Sequence, residues 1–293
     1  MVNHVANHSA TPSPDPSMEP ALRPHHPKGR WLNHFLKRGY LYLLFAFLYA
    51  PIVVLAVYSF NSSRSRGSWD GFTLHWYFEM FRDRQILTSL YYSLIIGLLA
   101  SLIATVVGTM AAFGIHHMKT LPQAAVMNLT YLPVLSPDIV TGISFMLLFI
   151  FFQFKLGFGT LLLSHITFNI PYVILSVLPR IKQLDQSTYE AALDLGATPN
   201  LAFRKVTLPE IMPGVLTGLL LSFTLSLDDF VISFFTTGSG VSNLSITIYS
   251  MARRGINPKI NALSTLMFIC VLILLIIVNI MMSKRESRSA NHS

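Results

Sequence analysis

A chain of 293 residues in which 52% are hydrophobic and only 12% charged is unlike a soluble globular domain, where about 25% of residues carry charge. Apolar runs longer than the roughly 20 residues that cross a bilayer point to an all-α membrane protein. Their continuity excludes a β-barrel, whose strands alternate over about 10 residues. The formal net charge of +8 is assigned to basic loops that hold the topology rather than to nucleic acid. The single cysteine, Cys270, rules out an intrachain disulfide and a cysteine metal site.

Residues 1–30 are rich in Pro, Ser, His and Asn and are expected to form a disordered cytoplasmic tail. No apolar segment precedes Trp31, so no signal peptide is expected. His4, His8, His25 and His26 could hold a metal, but the tail reading is preferred and no metal or cofactor is expected. The membrane domain is expected over 31–285, with a short cytoplasmic tail at 286–293.

Six apolar spans follow in chain order, at about 39–60, 89–115, 125–152, 156–178, 213–236 and 260–282. Pro133 and Pro137 are expected to interrupt the third span and Pro171 the fourth. Such breaks survive in a bilayer where neighbouring helices or a cavity satisfy the freed backbone groups, so they suggest a path, with a packing kink as the alternative. Twelve Lys and Arg fall in the segments that are inside if the N-terminus is cytoplasmic, against eight outside. Lys37 and Arg38, just before the first span, strengthen that orientation. Both termini and the polar loop at 180–213 are then cytoplasmic.

Within that loop, Ser187 and Glu190 have capping-box spacing, Gly196 suits a helix C-terminus, and Thr198-Pro199 supplies a second helix start. A second short helix is expected to run to about Val206 and to stop at Leu208-Pro209. Neither helix is long enough to be stable alone. Ala191, Leu195, Leu201 and Phe203 would present an apolar face for docking, the alternative being a plain amphipathic connector.

The pattern Glu190-Ala191-Ala192, Gly196, Val206, Leu208-Pro209 resembles the E-A-A loop of ABC importer permeases, with Val206 where that family has isoleucine. The stretches "YAPIVVLAVYSFNSS" at 49–63, "LSPDIVTGISFMLLF" at 135–149, "LSFTLSLDDFVISFFTTG" at 221–238 and "INPKINALST" at 256–265 resemble the second permease subunit of spermidine/putrescine importers. The likeness covers about 35–285. It implies a binding-protein-dependent ABC permease of the MetI-like type, with six transmembrane helices and a cytoplasmic coupling-helix hairpin, in a bacterial inner membrane. It further implies a heterodimer with a homologous permease, two copies of a cytoplasmic ATPase and a periplasmic polyamine-binding protein. Glu190, Ala191, Ala192, Gly196, Leu208 and Pro209 would couple to the ATPase. The chain has no Walker A pattern, so ATP hydrolysis is expected in a partner.

Charged side chains inside a bilayer are costly and are functional candidates by default. Asp138, Asp228 and Asp229 lie in spans without Lys or Arg, which suits a cationic ligand. Asp138 could instead stabilise a helix start after the proline break. Asp228 and Asp229 are expected about 8 residues from the outer helix end, with Asp228 preferred for the pathway because Asp229 could cap or pair elsewhere. Tyr49, Tyr131 and Phe145 offer rings for cation–π contact, with packing as the alternative. Trp69 and Trp76 are expected at the interface or against the binding protein, and His116, His117 and His165 as isolated interfacial residues. An intramembrane enzyme lacks a supporting motif, and a gated channel would not need the docking hairpin. A permease for a different small cationic or amine substrate is the alternative within the class.

Overall fold

The computed structural model describes residues 28–63, 68–255 and 258–290. Residues 1–27, which carry the tail expectation and its four histidines, lie outside them. The described residues are helical throughout, apart from loops and one isolated β-bridge between Asn61 and Phe72. In order the helices are α1 (Lys28–Tyr58), α2 (His75–Arg82), α3 (Arg84–His116), α4 (Thr120–Leu135), α5 (Asp138–Phe151) and α6 (Phe158–Lys182). There follow α7 (Gln186–Asp194), α8 (Pro199–Ala202), a π turn (Phe203–Thr207), α9 (Leu208–Asp228), α10 (Val231–Thr236), α11 (Leu244–Arg254) and α12 (Pro258–Ala290).

Four helices are long and apolar enough to cross a membrane, and a fifth span forms if α4 and α5, bent by 105° at Ser136-Pro137, are taken together. The apolar part of α12 identified as such, Pro258–Ile273, is shorter. The chain divides into two units, residues 1–51 and 52–293. The described part of the first is most of α1, whose apolar side chains between Tyr40 and Tyr49 are exposed, Phe47 at 82%.

The second unit is built on α3, α6 and α9, which pack mutually around Ala104, Ala112, Ile115, Val173, Val177 and Ile211. In lipid the hydrophobic effect does not drive helices together, so they associate by close packing of small residues. Gly108 on α3 is the clearest case: a Cβ there would lie 2.7 Å from the Cβ of Val173 and 3.2 Å from the Ile170 carbonyl. Gly214 on α9 lies as near to α6, where a Cβ would meet the Ser176 carbonyl at 2.8 Å. A second cluster, Met80, Ile86, Leu244 and Leu263, joins α2, α3, α11 and α12. Lys259 staples its edge, with Nζ 2.9 Å from Glu79 and 3.4 Å from Asp83.

Three expectations are corrected here. Neither Pro133 nor Pro171 interrupts its span: α4 runs through Pro133 to Leu135, and α6 runs through both Pro171 and Pro179, since one lost hydrogen bond is tolerated in a helix whose neighbours enclose it. The fifth span is not continuous, because α9 ends at Asp228 and α10 begins at Val231. Trp76 is not a surface anchor: α2 turns it inward, 4% exposed, and its indole N–H donates to the Asn61 carbonyl at 2.7 Å. Trp69 is exposed, edge-on to Tyr58.

Gly108→Val would force a β-branched side chain against Val173, and overpacking of this kind costs about 1–3 kcal/mol or more. Thermal unfolding of the purified protein should therefore shift down. Gly114→Ala on the same helix, where a Cβ meets nothing within 4 Å, should be neutral or stabilise by up to about 1 kcal/mol through helix propensity.

Candidate functional site

The hairpin between α6 and α9 is built by local signals. Asp185, not Ser187, caps α7: its carboxylate accepts from the Ser187 hydroxyl at 2.7 Å and the Ser187 N–H at 3.0 Å. These two bonds, the hydroxyl's first, hold the Asp185 carboxyl below its usual range. Ser187 lies inside the first turn because the chain already enters the helix at Gln186. The helix ends as the sequence predicts. Gly196 adopts φ +85°, its N–H donates to the Leu193 carbonyl at 2.9 Å, and that of Ala197 donates to Ala192 at 3.1 Å. This is a Schellman closure that favours glycine. Thr198 then caps α8 by accepting from the Leu201 N–H, with Pro199 in the first turn.

The expected stop at Leu208-Pro209 is absent. The backbone stays helical from Pro199 to Asp228, 30 residues, by opening into the π turn, where the Leu208 N–H donates to the Phe203 carbonyl. In a regular helix the Pro209 ring would crowd the carbonyl of Lys205, and that carbonyl would have no donor. The wider turn relieves both constraints. On the hairpin, Leu195 is 89% exposed and Leu201 is also exposed. Glu190 and Ala191 face solvent, Ala192 is half-buried, and Phe203 is turned inward onto Phe113, ring centroids 5.4 Å apart. Beneath the hairpin, at the ends of α3 and α6, is a cavity of about 540 Å³ lined by His116, His117, Lys182, Tyr189 and Glu210 among others. His116 and His117 are therefore not isolated, and their rings meet edge to face at 5.2 Å.

At the other end of α9 the chain breaks between two carboxylates with different surroundings. Asp229 caps α10 from one residue before its N-cap position, Phe230: its oxygens accept from Ile232 N–H at 3.2 Å, from Ser233 N–H at 2.8 Å and from the Ser233 hydroxyl at 2.8 Å. Its side chain is 8% exposed, and His165 Nε2 of α6 lies 3.6 Å away. Asp228, one residue earlier, is exposed and forms no ion pair with a described residue. The expectation of an uninterrupted helix beyond the pair is thus corrected: their separation comes from a break, not from a 100° turn. His165 is also corrected, since it is 2% exposed, and its Nε2 lies 2.9 Å from the Ser233 hydroxyl. A histidine 64 residues upstream carries no sequence signal of such pairing.

Asp138 occupies the first turn of α5 just past the bend, as a helix-start role would require. It is exposed and pairs with no described cation. One turn further, Gly142 meets α10: a Cβ there would lie 3.3 Å from the Cα of Ile232. Asp138 thus opens α5, Asp228 closes α9 just before α10, and α5 and α10 pack against each other. Tyr131 is exposed on α4, and Phe145 stacks on Phe149. Tyr49 stacks on Phe45 within the first unit. No cluster of metal-ligating side chains occurs among the described residues.

The chain is similar to known proteins over most of its length. Residues 104–288 match the model of the binding-protein-dependent transport system inner membrane component family. The spermidine/putrescine transport system permease protein PotC of Escherichia coli (strain K12) is 39% identical over 245 residues, 84% of this chain and 93% of that protein. The putrescine transport system permease protein PotI of the same strain is 39% identical over 255 residues, 85% and 91% of the two chains. The fold resembles a chain in the crystal structure of a bacterial alginate ABC transporter in complex with an alginate pentasaccharide-bound periplasmic protein. There the TM-score is 0.65 at 17% identity, over 87% of this chain and 95% of that one. With the family model spanning well over half of its length, the chain belongs to the inner-membrane components of binding-protein-dependent transport systems, as a multi-pass permease subunit.

Proposed function

We propose that this chain is a membrane-spanning subunit of an ATP-driven importer of polyamines, spermidine or putrescine. It would translocate its cargo by alternating access, coupled to a separate ATPase. The observation that carries the reading is a pair of exposed carboxylates, Asp138 at the start of α5 and Asp228 at the end of α9, without a cationic partner among the described residues. Acids kept inside a bilayer protein without a protein cation suit a cargo that brings its own positive charge. The 39% identity to the PotC and PotI proteins, whose names give spermidine and putrescine, supports the same class.

The remaining assembly is proposed on the same footing. Leu195 and Leu201 form the apolar seat for a cytoplasmic ATPase, present in two copies. A homologous permease completes the membrane part, and a periplasmic binding protein delivers the cargo, as the complex of the alginate transporter with its periplasmic protein illustrates for that system. Both termini lie in the cytoplasm. A reporter fused after Arg288 should then report a cytoplasmic location and one within 240–255 a periplasmic one; the opposite pair would overturn the orientation.

Gly196→Val places a β-branched residue at φ +85°, a region such residues strongly disfavour. The expected outcome is a complex that still assembles in the membrane but loses ATP-driven uptake. Wild-type uptake by this variant would sink the coupling role of the hairpin.

Asn at positions 138 and 228 keeps size and removes charge. Loss of a contact to a charged group, about 1.5–3 kcal/mol, should slow uptake of radiolabelled putrescine or spermidine by about tenfold or more at equal membrane levels. If Asp138 serves only its helix start, Asp138→Asn should be nearly silent, since Asn also serves there. Full uptake by the double variant would remove the charge argument, and preferential uptake of another amine would reassign the cargo.

A further inference from the structure

The polar cluster at the α9–α10 break has a determinate proton inventory. The Ser233 hydroxyl carries one proton, and it donates that proton to an Asp229 carboxylate oxygen at 2.8 Å. The Asn243 side-chain amide nitrogen, 2.7 Å from the same hydroxyl oxygen, can only donate. The remaining neighbour, His165 Nε2 at 2.9 Å, must therefore donate as well. This assigns the Nε2–H tautomer to His165. Its Nδ1, also buried, has no partner among the described residues.

The cluster ties together segments that local sequence does not connect. His165 comes from α6, Ser233 and Asp229 from α10 and its cap, and Asn243 from the cap of α11, where its amide nitrogen also donates to the Asp229 carbonyl at 3.2 Å. Its side-chain oxygen accepts from the Ile246 N–H at 3.0 Å. Asp229 is held by four bonds and contacts, while Asp228 next to it is left outside. A turn with neither proline nor glycine at 228–230 has no intrinsic reason to stop a helix, so the break depends on what grips Asp229.

We propose that His165 is a positioning residue for translocation: by donating to Ser233 it fixes the Asp229 cap, and the break so held directs Asp228 into the substrate path. The role rests on the proposed function only in assigning Asp228 to that path; the grip itself is independent of the cargo. His165 touches no cargo in this reading and acts through Ser233 and Asp229. A histidine that merely fills space would be replaceable by any side chain of similar volume, whereas a positioning histidine needs its N–H.

Gln and Met have nearly the same shape, and only Gln carries a donor. In membranes holding the whole importer at equal levels, His165→Met should lower the maximal uptake rate about tenfold. The half-saturating concentration, set upstream by the delivering protein, should stay unchanged. His165→Gln should restore most of the rate. Ser233→Ala, which removes the relay with little change in volume, should reproduce the Met defect and decides the matter if the Met variant fails to accumulate. A second readout does not depend on cargo: alkylation of Asp228→Cys in a Cys270→Ser background, followed on this chain by mass spectrometry. Its rate should change several-fold when His165→Met or Ser233→Ala is added, and not when His165→Gln is added. Equal uptake by the Gln and Met variants, or an alkylation rate indifferent to all three changes, would overturn the proposal. Full uptake by Asp228→Asn with the alkylation difference intact would instead sink the assignment of Asp228 to the path and leave the grip of His165 standing.

Discussion

A backbone N–H or carbonyl without a partner costs several kcal/mol in hydrocarbon, and this constraint decides where the chain can depart from regular helix. Within the apolar spans of the second unit it does so at Ser136-Pro137, at the π turn and at Asp229, and each place carries its own repair. At Ser136-Pro137 the bend is closed by the Ser136 N–H donating to Leu132 and by the hydroxyl of Ser136 reaching the same carbonyl. At the π turn the bond register shifts by one residue to pass Pro209. At Asp229 a carboxylate replaces the missing carbonyls for the first N–H groups of α10. The acids and the polar hairpin lie at or next to these departures because regular helix offers no place to turn polar groups out of line.

Around the departures, α3, α6 and α9 provide a rigid frame. Their approach is set by backbone, at Gly108 and Gly214, rather than by long side chains. Close packing leaves little room for continuous deformation. Movement applied to the frame is therefore expected to travel through whole helices, and compliance is confined to the joints between them.

One such helix links the two functional ends. The run from Pro199 to Asp228 spans about 45 Å at 1.5 Å per residue, beginning in the hairpin with exposed leucines and ending at the exposed acid. The π turn and Pro209 give that rod one joint near the hairpin, and Phe203 against Phe113 anchors the joint to α3. The Asp229 cap, gripped from α6 and α11, terminates it at the other end. In the proposed importer, coupling between ATPase docking and substrate path needs only the rod and its two ends.

Much of this was legible in the sequence, for a physical reason. Apolar runs, the Schellman glycine at 196, the Thr198-Pro199 start and the bend at Pro137 are local, since each depends on residues within one or two turns. The motif around Glu190 and Gly196 likewise pointed to the family, and the acids stood out because their spans lack cations. What the sequence could not show depends on distant partners. Pro171 was predicted to break a helix that its neighbours keep intact, and Pro209 to stop one that a π turn carries on. Residues 228–230 contain no breaker, yet the chain breaks there because Asp229 finds Ser233, with His165 and Asn243 closing around them. Trp76 went inward for the same reason, as its indole N–H had the Asn61 carbonyl to bond. The sequence determined where helices form and which residues carry charge. Only tertiary structure decided which of two adjacent aspartates is held and which is left free, because that choice rests on the contact of His165 on α6 and the hydrogen bond of Asn243 at the cap of α11, 64 and 14 residues away in the chain.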